Sequence, residues 1–292
     1  MTGNLNWRND NAELADLFDW LGDKEISYFA NPGNAGDSLI AQGTYDLIRQ
    51  NKIVWTPARM ENLSGKIVVI AGGGNLVSFY ANCRDIAEQA FQHAKMTIIL
   101  PHTIRDQAEL LKLAGPSAHI FCRDVPSYEH VTQSVNGARV SMAHDLAFFC
   151  DTAALLADKE LNTVWEARMA ELLKSRGINS LDDLKGKVTE CFRTDVEKTA
   201  MTGGPGNIDI SHLFKTGTFK QKARRGSYMF LRFIQSCEAI ASNRLHVGIG
   251  SAIMGTKARL YDNTYGKISS VYDYSLKDRY PSVEFAAENQ QR

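Results

Sequence analysis

The segment at residues 31–40 (NPGNAGDSLI) combines glycines with polar side chains between a strand pattern and a helix pattern. Gly33 and Gly36 let the backbone turn sharply and approach a ligand closely. Asp37 or Ser38 can cap the helix that follows, and the free N–H groups at a helix N-terminus favour a bound anion. The residues are equally consistent with an anion-binding loop and with a well-capped turn that binds nothing.

A second segment with chemical potential, residues 242–251 (SNRLHVGIGS), places Arg244 and His246 where a strand passes into a Gly-rich helix. Two cationic or donor groups at a helix N-terminus form a compact clamp for an anion. The imidazole also suits proton transfer near neutral pH. A lone histidine beside an apolar helix is more often a buried structural residue, but the neighbouring arginine and glycines favour the functional interpretation.

A run of three glycines and an asparagine follows an apolar strand at residues 71–75 (AGGGN). Gly73 and Gly74 remove side chains from the carboxyl end of a parallel strand, where ligands bind in α/β proteins. Asn75 offers an amide for recognition of a hydroxyl or phosphate group. A tight βα turn is the alternative, although three successive glycines exceed what such a turn needs.

Two further arginines follow predicted strands, Arg123 after residues 119–121 and Arg193 after residues 188–192. Singly, each fits a surface salt bridge better than a ligand site. Together with Arg244 they offer three planar guanidinium groups, which bind phosphate and carboxylate bidentately. A ligand that carries both groups would use them. The basic residues at 215–225 are interpreted as a solvated face, with a surface for an anionic lipid or a lipid-pyrophosphate acceptor as the alternative.

Short apolar runs alternate with longer amphipathic ones, which is typical of βαβ units with a parallel sheet. In the N-terminal half, strands are predicted at residues 27–30, 52–55, 67–71, 96–100, 119–121 and 139–142, and helices at 38–50, 83–94, 104–113 and 125–134. In the C-terminal part, strands are predicted at 188–192, 241–244 and 257–261, and helices at 228–239, 247–254 and 267–275.

A chain of 292 residues is long for a single core, so two domains are expected. We predict an N-terminal α/β lobe at residues 1–150, a helical connector at 151–187 and a C-terminal α/β lobe at 188–292. Two Rossmann-like lobes with parallel sheets usually bind ligands between them, at the carboxyl ends of the strands. We therefore expect the active site in the inter-domain cleft.

The composition narrows the class of protein further. Thirty-three basic and thirty-three acidic residues cancel, so there is no global field to attract nucleic acid. The five cysteines are scattered without a C-x-x-C pair, which favours reduced thiols in the cytosol over disulfides. Neither a signal peptide nor an apolar stretch of membrane-spanning length is visible. We expect a cytoplasmic protein, and peripheral contact with the inner face of the membrane stays open.

Several segments, taken in chain order, resemble the polysaccharide pyruvyl transferase family: NPGNAGDSLI, AGGGN, LPHT, CRDVPSYE, AHDLAF and SNRLHVGIGSAIMG. The ordered set is specific although each piece is short, and FRTDVEK is also similar to members that act on bacterial exopolysaccharides. The resemblance implies a GT-B-like fold and transfer of pyruvate from phosphoenolpyruvate to two sugar hydroxyls as a cyclic ketal. It implies no metal and no other cofactor.

The resemblance also assigns residues. The donor-binding arginine of the family corresponds to Arg123, its R-L-H clamp to Arg244, Leu245 and His246, and its glycine loop to Gly33, Asn34, Gly36 and Asp37. We expect His246 and Asp37 to be catalytic, with the roles of acid and base interchangeable. Arg193 and the glycine run with its asparagine are expected to contribute to donor binding.

Two other functions fit the same features. A nucleotide-sugar glycosyltransferase of GT-B type would share the lobes, the Gly-rich turns and an arginine for diphosphate. A non-catalytic carbohydrate-binding relative would keep the fold without the chemistry. In every case the expected acceptor or ligand is a saccharide, and its identity and any lipid linkage are not encoded in a readable motif.

Overall fold

The computed structural model describes residues 5–199 and 201–286 and divides them into two compact units. The N-terminal unit comprises residues 5–32 and 43–150, and the C-terminal unit comprises residues 33–42 and 151–286. The second part of the C-terminal unit begins at Asp151. The predicted connector at 151–187 belongs to the C-terminal unit, and so does the loop at 33–42, which the prediction had placed in the N-terminal lobe.

The N-terminal unit is built on a seven-stranded parallel sheet with helices along the chain between its strands. Its strands are β1 (Glu25–Phe29), β2 (Val54–Pro57), β3 (Ile67–Ile70), β4 (Gly73–Leu76), β5 (Met96–Ile104), β6 (Ala118–Cys122) and β7 (Arg139–Met142). The order across the sheet is β2-β1-β3-β5-β6-β7, and β4 pairs with β5. Its helices are α1 (Trp7–Asp10), α2 (Ala12–Leu21), α3 (Ala35–Gln50), α4 (Asn82–His93), α5 (Ala108–Leu111) and α6 (Val125–Ser134). The division between the units passes through α3 at residue 42.

Apolar runs produce this sheet because central parallel strands are buried on both faces. In β5 every residue after Met96 is buried, and Ile99 lies in register with Ile70 of β3 and Ile120 of β6. Together with α4 they form one hydrophobic cluster. All six predicted strands of this unit are confirmed, with ends displaced by up to a few residues.

In this unit one strand was not predicted and one helix was predicted too long. Residues 73–76 form β4, where a tight turn was one alternative: Gly73 pairs with His102 and Leu76 with Ile104, in an irregular register. The helix predicted at 104–113 is confined to Ala108–Leu111, because β5 continues through Ile104. A close contact was not predicted either: a side chain on Gly43 would place its Cβ 2.0 Å from the carbonyl oxygen of Leu146.

The C-terminal unit has a four-stranded parallel sheet in the order β11-β10-β9-β8. Its elements are α7 (Thr152–Leu156), α8 (Lys159–Ser175), β8 (Val188–Glu190), α9 (Ile210–Leu213), α10 (Lys220–Ser236), β9 (Ala239–Ser242), α11 (Leu245–Met254), β10 (Lys257–Leu260), α12 (Lys267–Val271) and β11 (Val283–Phe285). The fold is thus α/β with two Rossmann-like units of parallel sheet, as predicted, although β11 was missed.

Helix α11 packs closely on its neighbours, and its glycines are the reason. A Cβ on Gly248 would lie 2.5 Å from Leu260 of β10, and one on Gly250 would lie 2.7 Å from Ile234 of α10. These glycines therefore serve packing, which keeps the first turn of α11 fixed against the sheet. All five cysteines are buried thiols without disulfides. Across the described residues, no helix combines the length and apolar character needed to cross a bilayer.

Candidate active site

The loop before α3 is closed by its own side chains. The backbone N–H of Asn34 donates to Asp37 Oδ2 at 2.7 Å, and the N–H of Gly36 donates to Asn34 Oδ1 at 2.8 Å. A Cβ on Gly33 would lie 1.8 Å from Asp37 Oδ2, so only glycine fits there without moving that carboxylate. The four loop residues predicted from the sequence thus form one hydrogen-bonded turn at the N-terminus of a long helix.

This loop lies directly against the first turn of α11. A Cβ on Gly36 would lie 2.5 Å from His246 Nδ1 and 2.8 Å from the Cβ of the same histidine. On the next turn of α3, Ser38 Oγ donates to the carbonyl of Gly217 at 3.0 Å. The structure therefore brings Asp37 and the glycine loop together with His246 in the C-terminal unit. His246 itself is half-buried.

Arg244 occupies the N-cap position of α11 and is buried. Its Nη2 donates to Asp209 Oδ2 at 2.6 Å and lies 2.9 Å from Asp195 Oδ2. Its Nε is buried and has no hydrogen-bond partner among the described residues. A guanidinium with one unsatisfied N–H in a buried position has capacity for a further acceptor. Leu245, which follows, is a core residue of α11.

Arg193 follows β8 and shares one of these carboxylates, that of Asp195. Its Nε and Nη2 donate to the two oxygens of Asp195 at 2.8 and 3.2 Å, and its Nη1 donates to Glu197 Oε2 at 2.8 Å. Its backbone N–H donates to Asn243 Oδ1 at 2.8 Å, which ties the end of β8 to the start of α11. The structure therefore brings Arg193 and Arg244 together at one carboxylate, and their role in donor binding stays a prediction.

The carboxylates around these arginines were not predicted as site residues. Glu197 is buried, and its Oε2 also accepts hydrogen bonds from Lys267 at 2.8 Å and from Asn263 and Tyr265 at 3.2 Å. Asp209 is also buried and accepts from the backbone and hydroxyl of Thr194 at 3.0 and 2.9 Å. The signal available in the sequence was the charged run directly after a strand at 192–198.

Three cations and three carboxylates thus form one ion-pair network, made of Arg193, Arg244, Lys267, Asp195, Glu197 and Asp209. Burial would raise the pKa of Asp195, but hydrogen bonds and charge from Arg193 and Arg244 outweigh it and hold the pKa below its usual value. Asp195 is therefore ionised at neutral pH. The network is balanced in charge while every member is ionised.

The glycine run of the N-terminal unit supports a separate polar cluster. The side-chain amides of Asn31 and Asn75 exchange hydrogen bonds at 2.5 and 2.8 Å, and His102 Nε2 lies 3.1 Å from Asn75 Oδ1. Burial, with the charge of Arg123, lowers the pKa of His102 to about 3, so its imidazole is neutral. Gly73 has φ of +155°, a conformation that favours glycine, and Gly74 continues β4 beside it.

Arg123 is enclosed in the same unit. Its Nε donates to Thr103 Oγ1 at 2.9 Å, and its Nη1 pairs with Asp145. Asp124 accepts hydrogen bonds from Thr103 and Arg105 at 2.7 and 2.8 Å. These contacts give Arg123 a structural role in the fold of its unit, and its role as a donor ligand stays a prediction. Within the described ranges, no group of three histidine, cysteine or acidic residues could hold a metal ion.

Comparisons with known proteins show what the chain is similar to. The family model described as polysaccharide pyruvyl transferase matches residues 34–265, which include the loop at Asn34 and the segment from Arg244 to His246. EpsO of Bacillus subtilis (strain 168), which is provisionally named a pyruvyl transferase, is 25% identical over 308 residues, 93% of this chain and 91% of its own. The crystal structure of a Klebsiella pneumoniae protein of uncharacterized function is similar with a TM-score of 0.75 and 27% identity, covering 94% of this chain and 96% of that chain.

The match to the family model extends over most of the chain and spans both of its units. It spans the glycine loop from Asn34 onward, both arginines of the ion-pair network and the histidine that packs on Gly36. The chain therefore belongs to the polysaccharide pyruvyl transferase family.

Proposed function

We propose that this protein transfers pyruvate from phosphoenolpyruvate to two hydroxyls of a saccharide, forming a cyclic ketal and releasing phosphate. Family membership supports a transferase with a saccharide acceptor. The observation that carries the donor assignment is the packing of His246 on Gly36, two residues after Arg244, whose Nε is buried without a partner among the described residues. We place the reaction in the synthesis of an exopolysaccharide or another cell-surface polysaccharide.

The donor carries a phosphate and a carboxylate, and the C-terminal unit offers a matching set of groups. Arg193 and Arg244 present two guanidinium groups to one carboxylate, so their separation suits an oxyanion between them. The first turns of α3 and α11 add partial positive charge near His246. The attraction between an anion and these cations is stronger there than in water, because the cations are largely withdrawn from solvent.

The reaction requires two additions to one carbon. One sugar hydroxyl oxygen bonds to C2 of the donor while the methylene carbon gains a proton and becomes a methyl group. The bond from C2 to the phosphate oxygen then breaks, phosphate leaves with the bonding electrons, and the second hydroxyl oxygen bonds to C2. Of the two hydroxyl protons, one is balanced by the new C–H bond and the other leaves with phosphate. We propose that His246 and Asp37 share these proton transfers.

Catalysis requires above all that the reacting groups are held in the correct geometry. The two hydroxyls must lie in register with C2, and orienting reactants in this way is worth several kcal/mol. Departing phosphate gains charge in the transition state, so a guanidinium that binds it more tightly than the bound ester accelerates the step. We assign this role to Arg244, which is fixed by Asp209 and by its place at the start of α11.

The test begins with donor binding, because it needs no knowledge of the acceptor. Thermal unfolding is measured with phosphoenolpyruvate, with a panel of sugar nucleotides and with buffer alone. A ligand at a hundred times its dissociation constant stabilises a protein by about 2.7 kcal/mol. We expect a shift with phosphoenolpyruvate that is lost in Arg244→Ala and retained in Arg225→Ala, which removes an exposed arginine of α10. A shift with a sugar nucleotide alone would contradict the proposal.

Turnover then tests the chemistry. With a saccharide acceptor selected by phosphate release from phosphoenolpyruvate, Arg244→Ala is expected to lower activity by more than about a hundredfold. His246→Ala is expected to lower kcat and to change its pH dependence, because the shared proton transfer is lost. A His246→Ala enzyme with wild-type turnover across pH would remove this histidine from the mechanism.

A further inference from the structure

We infer that Asp195 is an internal stand-in for the ligand: its carboxylate occupies the oxyanion position between Arg193 and Arg244 and is displaced when a phosphate or carboxylate group binds there. The inference rests on the proposed function only in placing the anion site at these two arginines.

The geometry around Asp195 is that of a bound anion. Its Oδ1 and Oδ2 accept from Nε and Nη2 of Arg193 at 2.8 and 3.2 Å, a two-pronged contact of the kind that arginine makes with phosphate and carboxylate ligands. Its Oδ2 also lies 2.9 Å from Nη2 of Arg244. One carboxylate therefore bridges the two guanidinium groups that a donor would use.

Asp195 is also the member of the network that solvent reaches. Its side chain is 34% exposed, whereas those of Glu197 and Asp209 are 3% and 7% exposed. It lies on the connection after β8 and is outside any helix or strand. An incoming anion therefore meets this carboxylate first, and its side chain can rotate into water, where an ionised group is well solvated.

The other carboxylates keep the arginines in place when Asp195 leaves. Arg193 Nη1 stays paired with Glu197, and Arg244 Nη2 stays paired with Asp209. The edge of Arg193 that Asp195 occupied becomes open. The Nε of Arg244 is buried without a partner among the described residues, so this guanidinium keeps a further donor for an incoming anion. Two carboxylates thus position the clamp, and the third occupies it.

Exchange of one anion for another has a functional consequence. A carboxylate that competes for the clamp weakens the binding of every oxyanion, including the phosphate that the reaction releases. Product phosphate is an anion of the same class as part of the donor, so tight binding would leave the enzyme inhibited after each turnover. Asp195 is therefore a residue that sets affinity for donor and product.

The experiment measures binding of inorganic phosphate by isothermal titration calorimetry to the wild-type protein and to Asp195→Asn. We expect the dissociation constant of the variant to be about tenfold lower, because the competing charge is removed and both guanidinium groups are retained. Asp182→Asn is the control: it removes one negative charge from the same unit at an exposed pair with Lys185, and it is expected to leave the constant unchanged.

A second pair of variants separates charge from packing. Asp195→Ala is expected to tighten phosphate binding as Asp195→Asn does, and it supplies the test if the asparagine variant fails to fold. Asp195→Glu keeps the charge and is expected not to tighten binding. Unchanged or weaker binding in the Asn and Ala variants, or equal tightening in Asp195→Glu, would overturn the inference. So would the absence of measurable phosphate binding in all variants, because two guanidinium groups that have lost their shared carboxylate must attract an oxyanion.

The result is distinguishable from failure of the proposed function. Phosphate binding that tightens in Asp195→Asn, together with no response to phosphoenolpyruvate in either protein, would support the displaced carboxylate and refute the donor. A response to phosphoenolpyruvate without any effect of Asp195→Asn on phosphate binding would support the donor and refute the displaced carboxylate.

Discussion

The contact between Gly36 and His246 leads to a prediction about both stability and ligand binding. In Gly36→Ala the new methyl carbon would lie 2.5 Å from Nδ1 of the histidine and 2.8 Å from its Cβ. Carbon atoms in contact are about 3.5–4.0 Å apart, so the two must separate by roughly 1 Å. The ring can rotate away from the methyl group, but the histidine Cβ is attached to the backbone of α11 and cannot.

The cost follows from where α11 can move. Gly248 and Gly250 already place this helix in close contact with β10 and α10, so it has little freedom to retreat. Overpacking of this kind typically costs about 1–3 kcal/mol. The loop at Gly36 is held by the hydrogen bonds of Asn34 and Asp37, and a shift of about 1 Å in a positioned group can lower a catalytic rate about a hundredfold.

The measurement compares Gly36→Ala with Gly206→Ala, a substitution in the same unit whose Cβ meets no atom within 4 Å. Thermal unfolding is recorded for both variants and the wild type, with and without phosphoenolpyruvate. We expect Gly36→Ala to melt several degrees lower and to lose most of the stabilisation by the donor, while Gly206→Ala matches the wild type. Wild-type melting and a wild-type donor shift in Gly36→Ala would refute the assignment of this contact to the site.

Three further predictions concern the N-terminal unit. Asp124→Ala is expected to cost about 3–5 kcal/mol in urea unfolding, since it leaves buried donors and a cation unpaired, whereas Asp182→Ala at an exposed ion pair costs at most about 1 kcal/mol. Gly43→Ala is expected to destabilise the protein as much as Asp124→Ala does, because its Cβ would lie 2.0 Å from the carbonyl oxygen of Leu146. A Gly43→Ala variant that unfolds at the same urea concentration as the wild type would contradict this prediction. Burial, with a neighbouring positive charge, lowers the pKa of His119 from 6.5 to about 4. Between these pH values the histidine is protonated in the unfolded state and neutral in the folded state. The free energy of unfolding therefore falls as the pH drops through this range. His119→Gln is expected to flatten that decline by up to about 1.4 kcal/mol per pH unit, and equal slopes in both proteins would exclude this histidine as its source.

The parallel sheets could be predicted because their signals are local. The bounds of α6 and β7 agree with the prediction, and α6 has both a start signal, Asp124 as N-cap, and a proline in its first turn. The start of α10 was placed eight residues late, at Tyr228 instead of Lys220. Its first two turns carry basic residues, so the apolar periodicity begins only where the helix becomes buried.

The contacts of the site depend on residues that lie far apart in the sequence. Nothing in the sequence near Gly36 indicates that His246 packs on it. Residues 33–42 group with the C-terminal unit because of that contact and because of the hydrogen bond from Ser38 to Gly217. Three arginines after strands could be named from the sequence. Their contacts could not be predicted, because each arginine pairs with the carboxylates that the folded chain places beside it. Arg123 pairs with Asp145, and the other two arginines share one partly exposed carboxylate.

The charge balance of the C-terminal network limits how any anionic ligand can bind there. Three cations already face three carboxylates. An added oxyanion would leave a buried excess of negative charge unless one carboxylate moved out. Such an excess is costly in a medium of low dielectric constant. Exchange avoids that cost, and it requires one carboxylate to be both held by the clamp and able to reach water. Asp195 meets both conditions, while Glu197 and Asp209 are buried and bound to several other donors. The same charge balance applies to product release. When product phosphate leaves, the carboxylate of Asp195 returns and restores the balance. Binding and release are therefore the two directions of a single exchange.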